Sequence, residues 1–222
     1  MARDRGMRWL PETVLRPGRY LRDLAKRSPS RMAVLIFFLA AVLFSGLLTL
    51  PVSSADGRAA PLQDAVITAT SAVTVTGLTS VDTATQWSFF GQVVILLAIQ
   101  AGGLGIVTIA LLLMRAVTRH LGVRGKLFAQ QSIGGASKLG EVGQLLRIVV
   151  VTTLTIEAIL VLALVPRFVM IEEHWWEGLW NALFYGISAF NNAGFSIHEG
   201  GLAPFDGDLW ILVPIMIGVF VG

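Results

Sequence analysis

The backbones of the short segments that lead into Gly77 and Gly194 offer the clearest chemistry in the chain. Each stretch closes on a glycine, which takes φ > 0 without a Cβ penalty. Small and β-branched residues fill Ser71–Thr76 and are poor at prolonging a helix, so an extended segment is expected there. Such a segment can turn its carbonyls toward an axis, and carbonyl oxygens around an axis replace the water shell of a monovalent cation. Neither turn holds a carboxylate, whereas Ca²⁺ and Mg²⁺ usually want charged oxygen ligands. The turns at Gly77 and Gly194 are therefore candidate linings of a path for a monovalent cation. The plain alternative for each glycine is a helix C-cap. Two glycines at matching positions, each preceded by Ser-Ala and four further residues, favour a pore lining.

Other residue types offer less. Glu157 is the only acid within an apolar span, and an intramembrane carboxylate is by default a functional hypothesis. Proton coupling is one role for it. The structural role, protonated or hydrogen-bonded to Ser, Thr or backbone of a neighbouring helix, is the favoured one. Gly102-Gly103-Leu104-Gly105 follows an apolar span rather than a strand, so it reads as close helix packing or a bend and not as a dinucleotide site. Gly134-Gly135-Ala136-Ser137-Lys138 resembles the end of a phosphate loop without its first glycine. His120, His174 and His198 lack metal-ligand spacing. The absence of Cys removes disulfides, thiolate metal sites and Cys nucleophiles together. No catalytic constellation and no cofactor are expected. Trp175, Trp176 and Trp180 read as an interfacial aromatic belt.

The elements that must hold these turns are membrane helices. Of 222 residues 55% are hydrophobic and 14% charged, with a mean hydropathy of +0.72, against roughly 45–50% and 25% in soluble domains. Uncharged runs at Met32–Leu50, closed by Pro51, and Thr83–Met114 are long enough to span, as is Ile148–Val165, which is broken only by Glu157. A fourth run starts at Leu209 and is still apolar at Gly222. Val52-Ser53-Ser54-Ala55 resembles a signal cleavage site, but the 31 residues before the first run are longer than an ordinary n-region. Pro61–Thr76 and Trp175–Asn191 lie between spans and are too short and polar to cross alone.

Of the 17 basic residues, 15 lie in residues 1–31 or in the Arg115–Arg147 connection. The positive-inside rule then makes the N-terminus and middle loop cytoplasmic, in a multi-pass protein of the cell membrane. This segregation accounts for the basic pI without a nucleic-acid partner. The lipid bilayer is the expected surroundings. The N-terminal segment, with Trp9, Leu10, Val14 and Leu15, reads as an amphipathic interfacial helix, and the basic residues of the middle loop are expected to face the cytoplasm or anionic headgroups, with a docking surface as the alternative.

Sliding the chain by 117 residues lays residues 61–79 on residues 178–196, with identities at Leu62/Leu179, Ala65/Ala182, Ser71/Ser188, Ala72/Ala189 and Gly77/Gly194. The chain reads as span, short helix with a glycine turn, span, said twice. Non-helical backbone at membrane depth survives only inside protein or beside water, so the extended segments are expected to line an aqueous path. The short helices aim their partly negative C-terminal ends at it.

The run from Ala69 to Thr79, then Val81-Asp82-Thr83, Phe90–Ile95 and Gln100–Gly105, resembles the first repeat of Trk/Ktr-type potassium uptake proteins, of the Trk/Ktr/HKT superfamily. Ile187–Ser196 is similar to that family's second pore turn, and the resemblance covers about residues 32–222. It implies an all-α membrane protein whose members carry four helix–pore-helix–helix units around one pore and usually form homodimers. A cytoplasmic nucleotide-binding regulatory subunit is the implied partner. Carried over, Thr74, Val75, Thr76 and Gly77 supply one filter turn for K⁺, and Asn191, Asn192, Ala193 and Gly194 another. Glycine at position 77, where sodium-selective plant relatives often have serine, suggests K⁺ preference.

The expected organisation is a basic segment (1–31), a first repeat (32–114), a basic connection (115–147) and a second repeat (148–222) cut within its last helix. Two units are half of such a pore, so the chain reads as the N-terminal half of a longer protein. The expected function is channel-like K⁺ uptake. The alternatives are a non-conducting scaffold or assembly fragment, and a cation carrier coupled to Na⁺ or H⁺.

Overall fold

A computed structural model describes residues 29–120 and 141–222. The N-terminal segment before residue 29 and the glycine-containing part of the middle loop lie outside them. The described residues form seven α-helices and no strands. We number them α1 (Pro29–Leu48), α2 (Leu62–Thr74), α3 (Thr83–Gln86), α4 (Phe89–His120), α5 (Glu141–Ile171), α6 (Trp175–Phe190) and α7 (Leu209–Val221). Among the described residues, α1, α4 and α5 are long and apolar enough to cross a membrane, and α7 is a shorter apolar helix. The chain is an all-α membrane protein.

α1 stops at Leu48, two residues earlier than the uncharged run, because Pro51 cannot donate into a continuing helix and instead opens a 3₁₀ turn over Pro51–Ser53. In the stretch that resembles a cleavage site the two serines are buried at a corner: Ser53 Oγ donates to the Leu47 carbonyl at 2.7 Å, and Ser54 bridges to Trp87. The uncharged run from Thr83 is likewise two elements. Asp82 accepts from Ala84 N at 2.9 Å and caps the single turn α3. The chain then passes extended through Trp87, where Ser88 N donates to the Ser53 carbonyl at 3.0 Å, before α4 starts.

The small residues of α2 set how the first unit packs. Ala65, Thr68, Ala69, Ser71 and Ala72 are buried on one face, and small side chains let helix backbones approach closely where lipid supplies no hydrophobic drive between helices. That face meets α1 and α4. The core around it contains Leu48, Val94, Ile95, Ala98 and Ile99, and also Phe184, Ala193 and Phe195 of the second unit, so α4 is the wall the two units share. α5, α6 and α7 pack on one another around Leu164, Phe168, Tyr185, Ile211 and Ile215. The outward faces of α1 and α5 are apolar, with Val34, Phe38, Leu43, Leu154 and Leu162 exposed. Such faces suit hydrocarbon and would be a liability in water.

Candidate ion-binding site

The structure builds the two glycine turns alike. α2 runs through Thr74, so Ser71–Thr74 is helical and the extended segment begins later than the residue types suggested. Val75 then takes the left-handed conformation at φ 55°, and Gly77 does so at φ 72°. The intervening Thr76 keeps negative φ. In the second unit Asn192 stands at φ 56° and Gly194 at φ 69°, with Ala193 negative between them. The hydrogen bonds match as well. Val75 N donates to Ala72 O and Thr76 N to Ser71 O, while Asn192 N donates to Ala189 O and Ala193 N to Ser188 O. Each partner is 117 residues from its counterpart. This is one helix-ending motif, with its characteristic pair of bonds, made twice.

Asn enters the left-handed region readily, whereas a β-branched residue there is an outlier whose cost is on the order of 1–3 kcal/mol. Val75 is held there by the two bonds just named and by close contact with α4.

The turns meet at their glycines. A Cβ built on Gly77 would lie 2.8 Å from Ala193 O and 3.1 Å from the Gly194 Cα, and one on Gly194 would lie 3.2 Å from the Gly77 Cα. Ala193 is buried, while Thr74, Thr76, Asn192 and Gly194 are exposed. Hydroxyls brace both turns. Thr76 Oγ1 donates to Ser71 Oγ at 3.1 Å, and Ser188 Oγ donates to the Phe195 carbonyl at 2.9 Å. Thr74 turns back on its own helix, its Oγ1 donating to the Thr70 carbonyl at 2.7 Å.

α4 receives both turns at adjacent residues. A Cβ on Gly102 would overlap the Val73 carbonyl, its carbon lying 2.8 Å away, and one on Gly103 would overlap the Asn191 side chain, with Cγ at 2.9 Å. The Gly-Gly pair is thus close packing, as its sequence suggested, and what it packs against is the end of each short helix. Gly105 faces only the Phe37 ring.

Glu157 is buried beside the second turn, and its partners are amides of side chains, not the Ser, Thr or backbone groups the sequence pointed to. Asn191 Nδ2 donates to Glu157 Oε1 at 2.9 Å and to the Ile187 carbonyl at 3.0 Å, and Gln100 Nε2 donates to Glu157 Oε2 at 3.0 Å. The Asn191 side chain therefore points behind the turn, toward α4 and α5. A carboxylate does stand at this site, contributed from a distant helix. The turns themselves contain none.

In the polar contacts around the short helices the two units differ. Ser80 Oγ donates to Asp64 Oδ1 at 2.8 Å in the first unit. In the second, Asn181 Nδ2 donates to Glu172 Oε1 at 2.8 Å, and the Tyr185 hydroxyl lies 2.7 Å from Ser196 Oγ and 2.8 Å from His198 Nδ1. Among the described residues no group of three or more His, Cys, Asp or Glu is arranged to hold a metal ion. Trp175 and Trp176 are exposed, as a belt requires. Trp180 departs from it: its Nε1 donates to Gln92 Oε1 at 2.8 Å, and its ring packs on Phe89 and Phe184.

Comparison with known proteins agrees with this architecture. The sequence profile of the TrkH family, described as a cation transport protein, matches residues 16–222. The chain is 39% identical over 183 residues to the Ktr system potassium uptake protein B of Bacillus subtilis, covering 82% of this chain and 40% of that one. It is 37% identical over 188 residues to the protein of the same name from Vibrio alginolyticus, covering 84% and 40%. The potassium/sodium uptake protein NtpJ of Enterococcus hirae is 29% identical over 195 residues, covering 88% and 43%. The chain thus spans about two fifths of the length of the curated relatives it matches.

Proposed function

Since the chain belongs to the TrkH family of cation transport proteins, we propose that it supplies two units of a potassium uptake pathway, with Thr74–Gly77 and Asn191–Gly194 as two turns of its selectivity filter. The observation that carries this reading is the opposition of Gly77 and Gly194 in turns that alternate φ in the same order. Carbonyls directed to one side replace the hydration shell of K⁺ without a fixed charge on the turns. The helix ends behind them add partial negative charge at the same place. Two further turns, from a longer chain or a second copy, complete the ring. Homodimerisation and a cytoplasmic nucleotide-binding regulatory subunit are part of the same proposal, as is the orientation with the N-terminus and middle loop inside. The chain works as a conduit and makes or breaks no covalent bond.

The test is Rb⁺ uptake into proteoliposomes by the intact gene product, with K⁺ and Na⁺ as competitors. Competition by K⁺ well above Na⁺ supports the proposal. Equal competition favours the potassium/sodium behaviour that the NtpJ name describes. No uptake points to a scaffold role.

A further inference from the structure

Glu157 takes no part in the pathway just proposed, yet among the described residues it is the one buried acid, and it lies on a different helix from either turn. Three elements converge on one amide. The Asn191 side chain lies between Glu157 of α5, which accepts from its Nδ2 at 2.9 Å, and Gly103 of α4, whose missing Cβ leaves the room it occupies. Gln100, one helical turn from Gly103, donates to the second carboxylate oxygen at 3.0 Å and so fixes the carboxylate plane. Asn191 is the residue at which α6 ends, and its backbone leads directly into Asn192, Ala193 and Gly194. Among the described residues the first turn has no such anchor: Thr74, at the equivalent position, bonds to its own helix and to Thr76.

We propose that Glu157 is a positioning residue for cation selectivity, fixing through Asn191 the direction in which the second turn leaves α6. This rests on the reading of the turns as a filter. It assigns Glu157 no proton-carrying role. What matters is an acceptor of the right length facing Asn191 Nδ2, so Glu157→Gln, whose carbonyl can accept from Asn191 while its amide donates to a rotated Gln100, keeps the anchor. Glu157→Leu fills similar volume and removes it.

The experiment is K⁺-over-Na⁺ competition for Rb⁺ uptake by the intact gene product in proteoliposomes, for wild type, Glu157→Gln, Glu157→Leu and Gly103→Ala. Total uptake is normalised to folded protein measured by size-exclusion chromatography. The expected result is near wild-type selectivity for Glu157→Gln and a loss of roughly tenfold or more for Glu157→Leu, because ångström-scale misplacement of a preorganised group costs up to about a hundredfold. Gly103→Ala, which displaces the same amide and leaves the carboxylate untouched, is expected to lose selectivity too, and it decides the matter if Glu157→Leu does not fold. Wild-type selectivity in folded Glu157→Leu or folded Gly103→Ala overturns the inference alone. So does a Glu157→Gln as impaired as Glu157→Leu, since charge or proton transfer rather than placement is then what counts. An unselective wild type overturns the filter reading itself, and this inference with it.

Discussion

Gly77 and Gly194 oppose each other so closely that a Cβ on the second would sit 3.2 Å from the Cα of the first. Both have positive φ, at 72° and 69°, so a side chain at either is disfavoured twice: by its own backbone and by the opposite turn. α4 contacts the ends of both short helices at consecutive glycines, Gly102 and Gly103.

Ser188→Ala is expected to destabilise the second unit and loosen its turn. The Ser188 hydroxyl donates to the buried Phe195 carbonyl at 2.9 Å, and leaving such an acceptor unpaired costs about 1–3 kcal/mol. Thermal unfolding in detergent should show a lowered midpoint. An unchanged midpoint would mean that water replaces the hydroxyl and that the brace is dispensable.

Gly102→Ala is expected to cost about 1–3 kcal/mol or more by overpacking, because its Cβ would overlap the Val73 carbonyl at the end of α2. Gly46→Ala in α1 is the control, since nothing lies within 4 Å of the added carbon, and a helix interior gains roughly 0.5–1 kcal/mol from that change. The two variants should move the unfolding midpoint in opposite directions. Equal tolerance would show that α4 and the first turn are not in contact.

The ends of α5 and α7 are joined by Arg167 Nε donating to Asp208 Oδ2 at 2.6 Å. That hydrogen bond, with the charge of Arg167 and the Trp210 and Ile211 amides, holds the Asp208 carboxyl below the usual carboxylate range. A carboxyl whose folded pKa is depressed contributes stability that is present above its unfolded pKa, about 3.9, and is lost as pH falls through the folded value. Wild type should therefore lose more stability than Asp208→Asn between neutral pH and about pH 3. Parallel losses in the two proteins would contradict a formed pair.

Orientation is open to labelling because the chain has no Cys. A single cysteine at Ser137, in the basic connection, should react with an impermeant maleimide only from the cytoplasmic side, and one at exposed Glu199 only from the outside. The reverse pattern would invert the topology.

Much of this was legible in the sequence because the repeat is carried by small residues whose size the packing demands. Ser71/Ser188 and Gly77/Gly194 play the same parts in the two turns, and Ala65 and Ala182 are both fully buried. The left-handed Val75 was not legible, since its residue type argues against that conformation and the contact with α4 that helps hold it is distant in sequence. The partners of Glu157 were equally hidden. Gln100 and Asn191 are 57 and 34 residues away, and nothing local marks an amide that will meet a carboxylate across helices. Trp180 looked like its neighbours Trp175 and Trp176, yet the phase of α6 turns it inward to Gln92.

The most direct measurement is Rb⁺ uptake by the intact gene product in proteoliposomes, comparing wild type with Gly77→Ser and Gly194→Ser under K⁺ and Na⁺ competition. Each serine should reduce the preference for K⁺ over Na⁺ by about tenfold or more, corresponding to about 1.4 kcal/mol or more in relative ion binding. Selective and undiminished uptake in both folded variants would contradict the assignment of these turns as the filter.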